Sequence, residues 1–203
     1  TARVSTDNFA TVNLSSSTRN LFALFGTGGA GSALDPNTTY YFQVRAVNHA
    51  SVGTSFTSLG STWTLPIEPA AAALSAVNAS SITANWTSGG NGAGTLYSAR
   101  ISTDNFATVN LSSATRNLSA VFGATGAGQD LAPNTTYYLQ VRAVGHGGVL
   151  TDFTSLGSTI TLAAQPSAAP LTFVRLSSAT ANWTANGNPA LTLYRAQVST
   201  DNF

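Results

Sequence analysis

Few side chains in this sequence have the type and spacing that chemistry requires. His49 and His146 are the only imidazoles, they lie 97 residues apart, and neither sits in a His-x-x-x-His or carboxylate-rich setting that would bind a metal or move a proton. Asp7-Asn8, Asp104-Asn105 and Asp201-Asn202 offer oxygen ligands of the kind calcium favours. One carboxylate per loop is too little for a calcium cage, and an Asx-stabilised turn is the expected role. Ser is so abundant that any notional Ser, His and Asp triad carries no information. The Gly-rich runs Gly26 to Gly31 and Gly123 to Gly128 are not followed by Lys-Ser/Thr or a helix start, so they are expected to be loops, not phosphate cradles. Asn-x-Ser/Thr triplets begin at Asn13, Asn37, Asn78, Asn85, Asn110, Asn117, Asn134 and Asn182, and several fall on expected strands. No catalytic, cofactor-binding or metal residue is assigned, and the expectation is a non-enzyme with no cofactor.

Composition narrows the partners. Charged residues make up 7% of the chain and the formal net charge is +1, with every basic residue an Arg, so no basic field is available to hold a nucleic-acid backbone. Cys is absent, which removes disulfides and thiolate metal sites and leaves core packing to stabilise the fold. No run of 18 apolar residues occurs, so this segment is not expected to insert into a membrane. Thr1-Ala2-Arg3-Val4 does not resemble the start of a signal peptide, and the numbered start reads as internal to a longer chain. A weakly charged surface rich in Ser, Thr, Asn and Gly favours self-association at unguarded sheet edges.

The elements that would position these residues follow from an internal repeat. Ser5-Thr6-Asp7-Asn8-Phe9 recurs at Ser102 to Phe106 and at Ser199 to Phe203, each step being 97 residues. Residues 5 to 65 and 102 to 162 are identical at 46 of 61 positions without a gap. A period this long indicates an array of domains, because solenoid units are far shorter. The expected division is a partial repeat over 1–65 lacking its first strands, a complete repeat over 69–163, and a further partial repeat over 167–203 holding the first three strands. Two readings of the partial ends stay open: an excerpt of a longer array, or completion of one chain's tail by another chain's head.

Within the complete repeat, helix signals are missing and apolar residues alternate with polar ones. Ile82, Ala84 and Trp86 form one such set, followed by Tyr97, Ala99 and Ile101, by Leu118, Ala120 and Phe122, and by Tyr137, Leu139, Val141 and Ala143. Ile160 and Leu162 are expected to close the unit, a leading strand is expected near Leu74 to Val77, and a short one near Val109 to Leu111. About seven strands result, an all-β fold of tandem sandwiches. Pro-containing segments at Thr64 to Pro69 and Leu162 to Pro166 are short, stiff joints expected to hold neighbouring units in an extended line.

The spacing Leu131-x-Pro133-x-Thr135-x-Tyr137-x-Leu139-x-Val141-x-Ala143, matched at Leu34 to Ala46, resembles the corner and sixth strand of fibronectin type III domains. Trp86 and Trp183 stand where that family buries a Trp on its second strand, and Tyr97 and Tyr194 where it places a Tyr on the third. The resemblance implies an immunoglobulin-like seven-stranded β-sandwich. It further implies that Tyr40 and Tyr137 form tyrosine corners, with Leu34 and Leu131 in the core. Phe22 and Leu24 replace Ser119 and Val121 of the complete repeat and are expected on the outward face, a possible contact patch if no neighbouring strand or loop covers them.

The functional expectation is a structural or adhesive repeat region of a secreted or surface-displayed bacterial-type protein, able to build an extracellular filament by contact with neighbouring repeats, or to touch protein or glycan on a cell surface. A spacer or weak carbohydrate-binding repeat of a secreted polysaccharide-degrading enzyme is the alternative. A cell-surface recognition role comes third, with no Arg-Gly-Asp triplet to motivate it.

Overall fold

The computed structural model describes residues 1–124, 126–201 and 203. Three segments follow one another along the chain. The first carries β1 (Ala2–Ser5), β2 (Leu14–Ser16), β3 (Thr39–Val44) and β4 (Thr57–Trp63), joined antiparallel in the order β2-β1-β3-β4. The central one carries β5 (Ala70–Ala71), β6 (Ser81–Thr87), β7 (Leu96–Ser102), β8 (Leu111–Thr115), β9 (Ser119–Gly123), β10 (Thr136–Val144) and β11 (Thr154–Ile160). The last carries a hairpin-like pair, β12 (Ser167–Thr172) and β13 (Thr180–Thr184).

In the central segment the seven strands form a three-stranded sheet, β5-β6-β9, and a four-stranded sheet, β11-β10-β7-β8. The alternation dictates this layering, since strand side chains point to opposite faces with a period of two. Ile82, Ala84 and Trp86 of β6, Ala120 and Phe122 of β9, Tyr97, Ala99 and Ile101 of β7, and Tyr137, Leu139, Val141 and Ala143 of β10 all lie in one buried cluster with Leu131 and Leu156. Trp86 meets Tyr97 across the two layers with ring centroids 5.8 Å apart. The result is an all-β sandwich whose interior is the set of alternate apolar positions.

Several features depart from the expected strands. Ile160 and Leu162 are exposed, and the inward positions near the end of β11 are Leu156 and Thr161. The cause is a β-bulge: the β10–β11 register slips between Leu139 and Gln140, opposite Gly157 with its φ of +88°. An extra residue there inverts which side chains face inward. The leading strand is also broken, with β5 confined to Ala70–Ala71 and a lone bridge from Ser75 to Thr83 farther on. Leu74 and Val77 still pack against the core. The fourth strand of the repeat, β8, begins at Leu111, just past Val109.

The flanking segments show what a strand needs. Residues 22 to 26 correspond to β9 but are not a strand; β9 pairs with β6, and no equivalent of β6 is found beside the first segment among the described residues. In the last segment only two of three expected strands form among the described residues. The stretch around Tyr194 corresponds to β7, whose ladders run to β8 and β10, and it has no such neighbours.

Candidate functional site

The Asp of each Ser-Thr-Asp-Asn-Phe turn is occupied by its own loop. After β7 the chain must reverse, and Asn105 and Phe106 do so with φ of 54° and 69°. The Ser102 hydroxyl donates to Asp104 Oδ1 at 2.6 Å and accepts the amides of Asp104 and Phe106 at 3.1 and 2.9 Å. Thr108 adds its N–H to both carboxylate oxygens and its hydroxyl to Oδ2 at 2.6 Å. These donors, the Ser102 hydroxyl foremost, hold the Asp104 carboxyl at a pKa of about 2. Asp7 repeats the arrangement with Ser5 and Thr11 and is likewise lowered to about 2. Ser199 approaches Asp201 in the same way, and Asn202 lies outside the described residues. Among the described residues no group of three His, Cys, Asp or Glu side chains could hold a metal ion.

The other chemistry-bearing residues are also engaged locally. His146 opens a short 3-10 turn, where its backbone N–H donates to Asn37 Oδ1 at 3.0 Å and its ring lies 6.1 Å from that of Trp63. His49 is exposed. At the Gly-rich runs Ala30 N–H donates to Leu24 O and Ala127 N–H to Val121 O, and residue 125 of the second run lies outside the described residues. Of the Asn-x-Ser/Thr residues, Asn37, Asn78, Asn85, Asn134 and Asn182 use their side-chain Nδ2 in hydrogen bonds.

The four-stranded face carries a stack of cations and rings that sequence reading missed. The Arg100 guanidinium lies 3.7 Å from the Phe153 ring centroid and 5.2 Å from that of Phe106, and Arg142 covers Phe153 at 4.4 Å. Burial and the neighbouring Arg142 lower the Arg100 pKa. With its amide oxygen turned toward Arg100, Gln140 accepts Nε and Nη2 at 2.6 and 2.7 Å, as the register opposing Gln140 and Arg100 requires. Arg3, Phe9, Arg45, Phe56 and Gln43 build the same stack in the first segment. Half of the basic residues are thus spent on rings within the fold. The available signal was the outward phase of Gln140 and Arg142, which places charge and amide on one face with Arg100.

The remaining assigned residues fall as follows. Trp86, Tyr97, Tyr40, Tyr137 and Leu131 are buried, Leu34 and Tyr194 are half-buried, and Trp183 is 41% exposed. Tyr137 Oη accepts the Ala132 N–H at 3.0 Å and Tyr40 Oη the Asp35 N–H at 2.9 Å, the geometry of a tyrosine corner. Phe22 is 73% and Leu24 57% exposed. Phe22 lines a groove of about 860 Å³ with Ala2, Ala23, Val44, Val47 and Leu59, while Leu24 does not reach it.

Side chains also converge where one repeat meets the next. Asn37 is only 5% exposed, and its Nδ2 donates to Thr95 Oγ1 at 2.8 Å. Asn134 makes the equivalent bond to Thr192 at 3.0 Å. Asn91 binds the joint itself, accepting the Ile67 N–H at 2.9 Å and donating to Ile67 O at 2.7 Å, and Asn188 treats Ala164 identically, at 2.8 Å both ways.

No protein-family model matches the chain, and no curated protein does. Among solved structures, the chain is similar to the FN1–FN3 domains of chicken CNTN1, with 18% identity over 66% of this chain and 45% of that one and a TM-score of 0.37. It is also similar to domains d3–d4 of the rat CD45 extracellular region, with 16% identity over 70% of this chain and 71% of that one and a TM-score of 0.42. The chain therefore spans less than half the length of the first of these structures.

Proposed function

We propose that this chain is a non-catalytic structural and adhesive repeat region of an extracellular or cell-surface protein, built from fibronectin type III-like modules over 1–65, 69–163 and 167–203. The observation that carries the reading is the use made of reactive side chains. Asp7 and Asp104, Arg3 and Arg100, and Asn37 and Asn134 are committed, in the same geometry one repeat apart, to turns, stacks and joints of the fold itself. What remains outside is sparsely charged and repetitive, a surface suited to touching neighbouring repeats, protein or glycan. Phe22 and Leu24 would add apolar contact area in the first module. Arrays of such modules would form the building block of an extracellular filament.

Electron microscopy of the full-length secreted product tests this. Beads at a regular spacing of one module, or an ordered fibre, are expected. A compact, monodisperse particle would contradict the filament, and hydrolytic activity retained by residues 1–203 would contradict the non-catalytic reading.

A further inference from the structure

We infer that Asn37, Thr95 and Asn91, with their counterparts Asn134, Thr192 and Asn188, form a latch that docks each repeat onto the next in one fixed orientation. The interaction surface is the corner before β3 or β10, and its partner is the loop between the second and third strands of the following repeat.

The latch is built, not incidental. In the first segment Asn37 stands with φ of +49°, a left-handed conformation that Asn tolerates better than most residues. This conformation leaves the amide directed at the following repeat. Its two ends are both used across the boundary: Nδ2 donates to Thr95 Oγ1, and Oδ1 accepts the backbone N–H of His146, 109 positions away. Thr95 is held for this contact by donating its own hydroxyl proton to Gly92 O at 2.7 Å. Within the docked interface these buried groups must be paired, so only an orientation that brings the amide onto the Thr95 hydroxyl and the His146 N–H satisfies them; separation returns them to water.

The connecting segment is pinned from both sides. Its start is tied to the preceding repeat, because Asn37 N–H donates to Leu65 O at 3.1 Å. Its middle is tied to the following repeat, because the Asn91 amide closes a two-bond ring on Ile67. No free length of chain separates these two anchors beyond Pro66. At the next boundary Asn134 N–H donates to Leu162 O at 3.1 Å, and Asn188 closes the same ring on Ala164. Two junctions with partly different sequences therefore use the same latch. They differ in their accessory contacts: the first has Trp63 beside His146 and a Gly92 N–H to Pro36 O bond, whereas Pro189 stands at the Gly92 position in the second and has no N–H to give.

Close approach at Gly92 gives the interface a steric signature. A Cβ there would come within 2.7 Å of Thr38 Oγ1 and 3.3 Å of Asn37 O, both on the preceding repeat. The second junction accommodates the Cβ of Pro189 at the equivalent position, so this close approach is particular to the first junction, where a bulkier side chain at Gly92 would press on Thr38.

The test uses the whole 203-residue chain, which has no Cys and so accepts spin labels at chosen sites. Ser15→Cys and Ser112→Cys are exposed, equivalent positions in successive repeats. Pulsed electron–electron resonance should give one narrow distance distribution. Asn37→Gly, which keeps the left-handed backbone while deleting the amide, should broaden it at least twofold, and Gly92→Val should shift it. Thr95→Val alters the latch from the other repeat and should reproduce the broadening if Asn37→Gly fails to fold. A wild-type distribution as broad as that expected of a free linker, or an unchanged width in whichever latch variant folds, would overturn the inference. Neither result depends on filament formation.

Discussion

Trp86 and Trp183 occupy equivalent places in the repeated Ala-Asn-Trp-Thr sequence but differ sharply in environment, which makes their replacement informative. Trp86 is 3% exposed, sits in the buried cluster and meets Tyr97 across the sandwich. Its indole N–H meets no acceptor among the described residues, so packing and not hydrogen bonding holds it. Trp86→Ala should cost about 3–5 kcal/mol, from lost transfer energy plus an incompletely collapsed cavity. A domain of this size is usually stable by about 5–15 kcal/mol, so the variant would stand near the edge of folding. Trp183 is 41% exposed and meets Tyr194 at 5.9 Å, and Trp183→Ala should cost clearly less than Trp86→Ala. Unfolding of linked repeats need not be two-state, so native-state hydrogen exchange of the β7 and β10 amides is the suitable assay. Trp86→Ala should speed their exchange between about a hundredfold and a few thousandfold, and Trp183→Ala should speed exchange of the β12 and β13 amides of its own segment far less. Equal effects from the two substitutions, or less than about 1 kcal/mol from Trp86→Ala, would refute the burial argument.

Other perturbations probe other layers of the fold. Arg100→Ala removes a guanidinium from between Phe153 and Phe106 and should destabilise the central segment by about 1–2 kcal/mol in urea titrations, with Arg3→Ala acting alike in the first segment. Tyr137→Phe takes the acceptor from the Ala132 N–H and should cost about 1–2 kcal/mol, or roughly 5–10 °C in the melting temperature of a segment this long. Asp104 has a folded-state pKa of about 2, below its ordinary 3.8, so its support of the turn is complete above about pH 4 and lost as pH falls toward 2. Carbon-13 titration of the Asp104 carboxyl should show that low midpoint, and Asp104→Asn should remove this part of the acid sensitivity.

Legibility of the fold followed the range of the interactions involved. Alternation along β7 and β10 depends on neighbours within each strand, and Tyr97, Ala99 and Ile101, like Tyr137 to Ala143, are inward as their spacing predicts. The end of β11 was misread because one glycine conformation, at Gly157, reverses the phase of everything after it. Leu118 was expected inward with Ala120 and Phe122 but is 45% exposed, lying just before β9 begins. Residues 22 to 26 share the alternation of β9 but are not a strand among the described residues, because pairing is set by a partner segment such as β6 that no local pattern records. The Arg100–Phe153 stack and the Asn37–Thr95 latch join residues more than fifty positions apart, so only strand register and corner geometry bring them together. The Asp turns were readable because Ser102, Asp104 and Thr108 lie within seven consecutive residues.

The layered arrangement of the central repeat is tested most directly by nuclear Overhauser contacts between the rings of Trp86 and Tyr97, which belong to different sheets. The expected result is a strong contact between the two rings, together with Hα contacts or slowed amide exchange marking the Ile82–Phe122 and Gln140–Arg100 pairings. A Trp86 ring with no contact to Tyr97 and free access to a soluble quencher would contradict the two-sheet interior and everything built upon it.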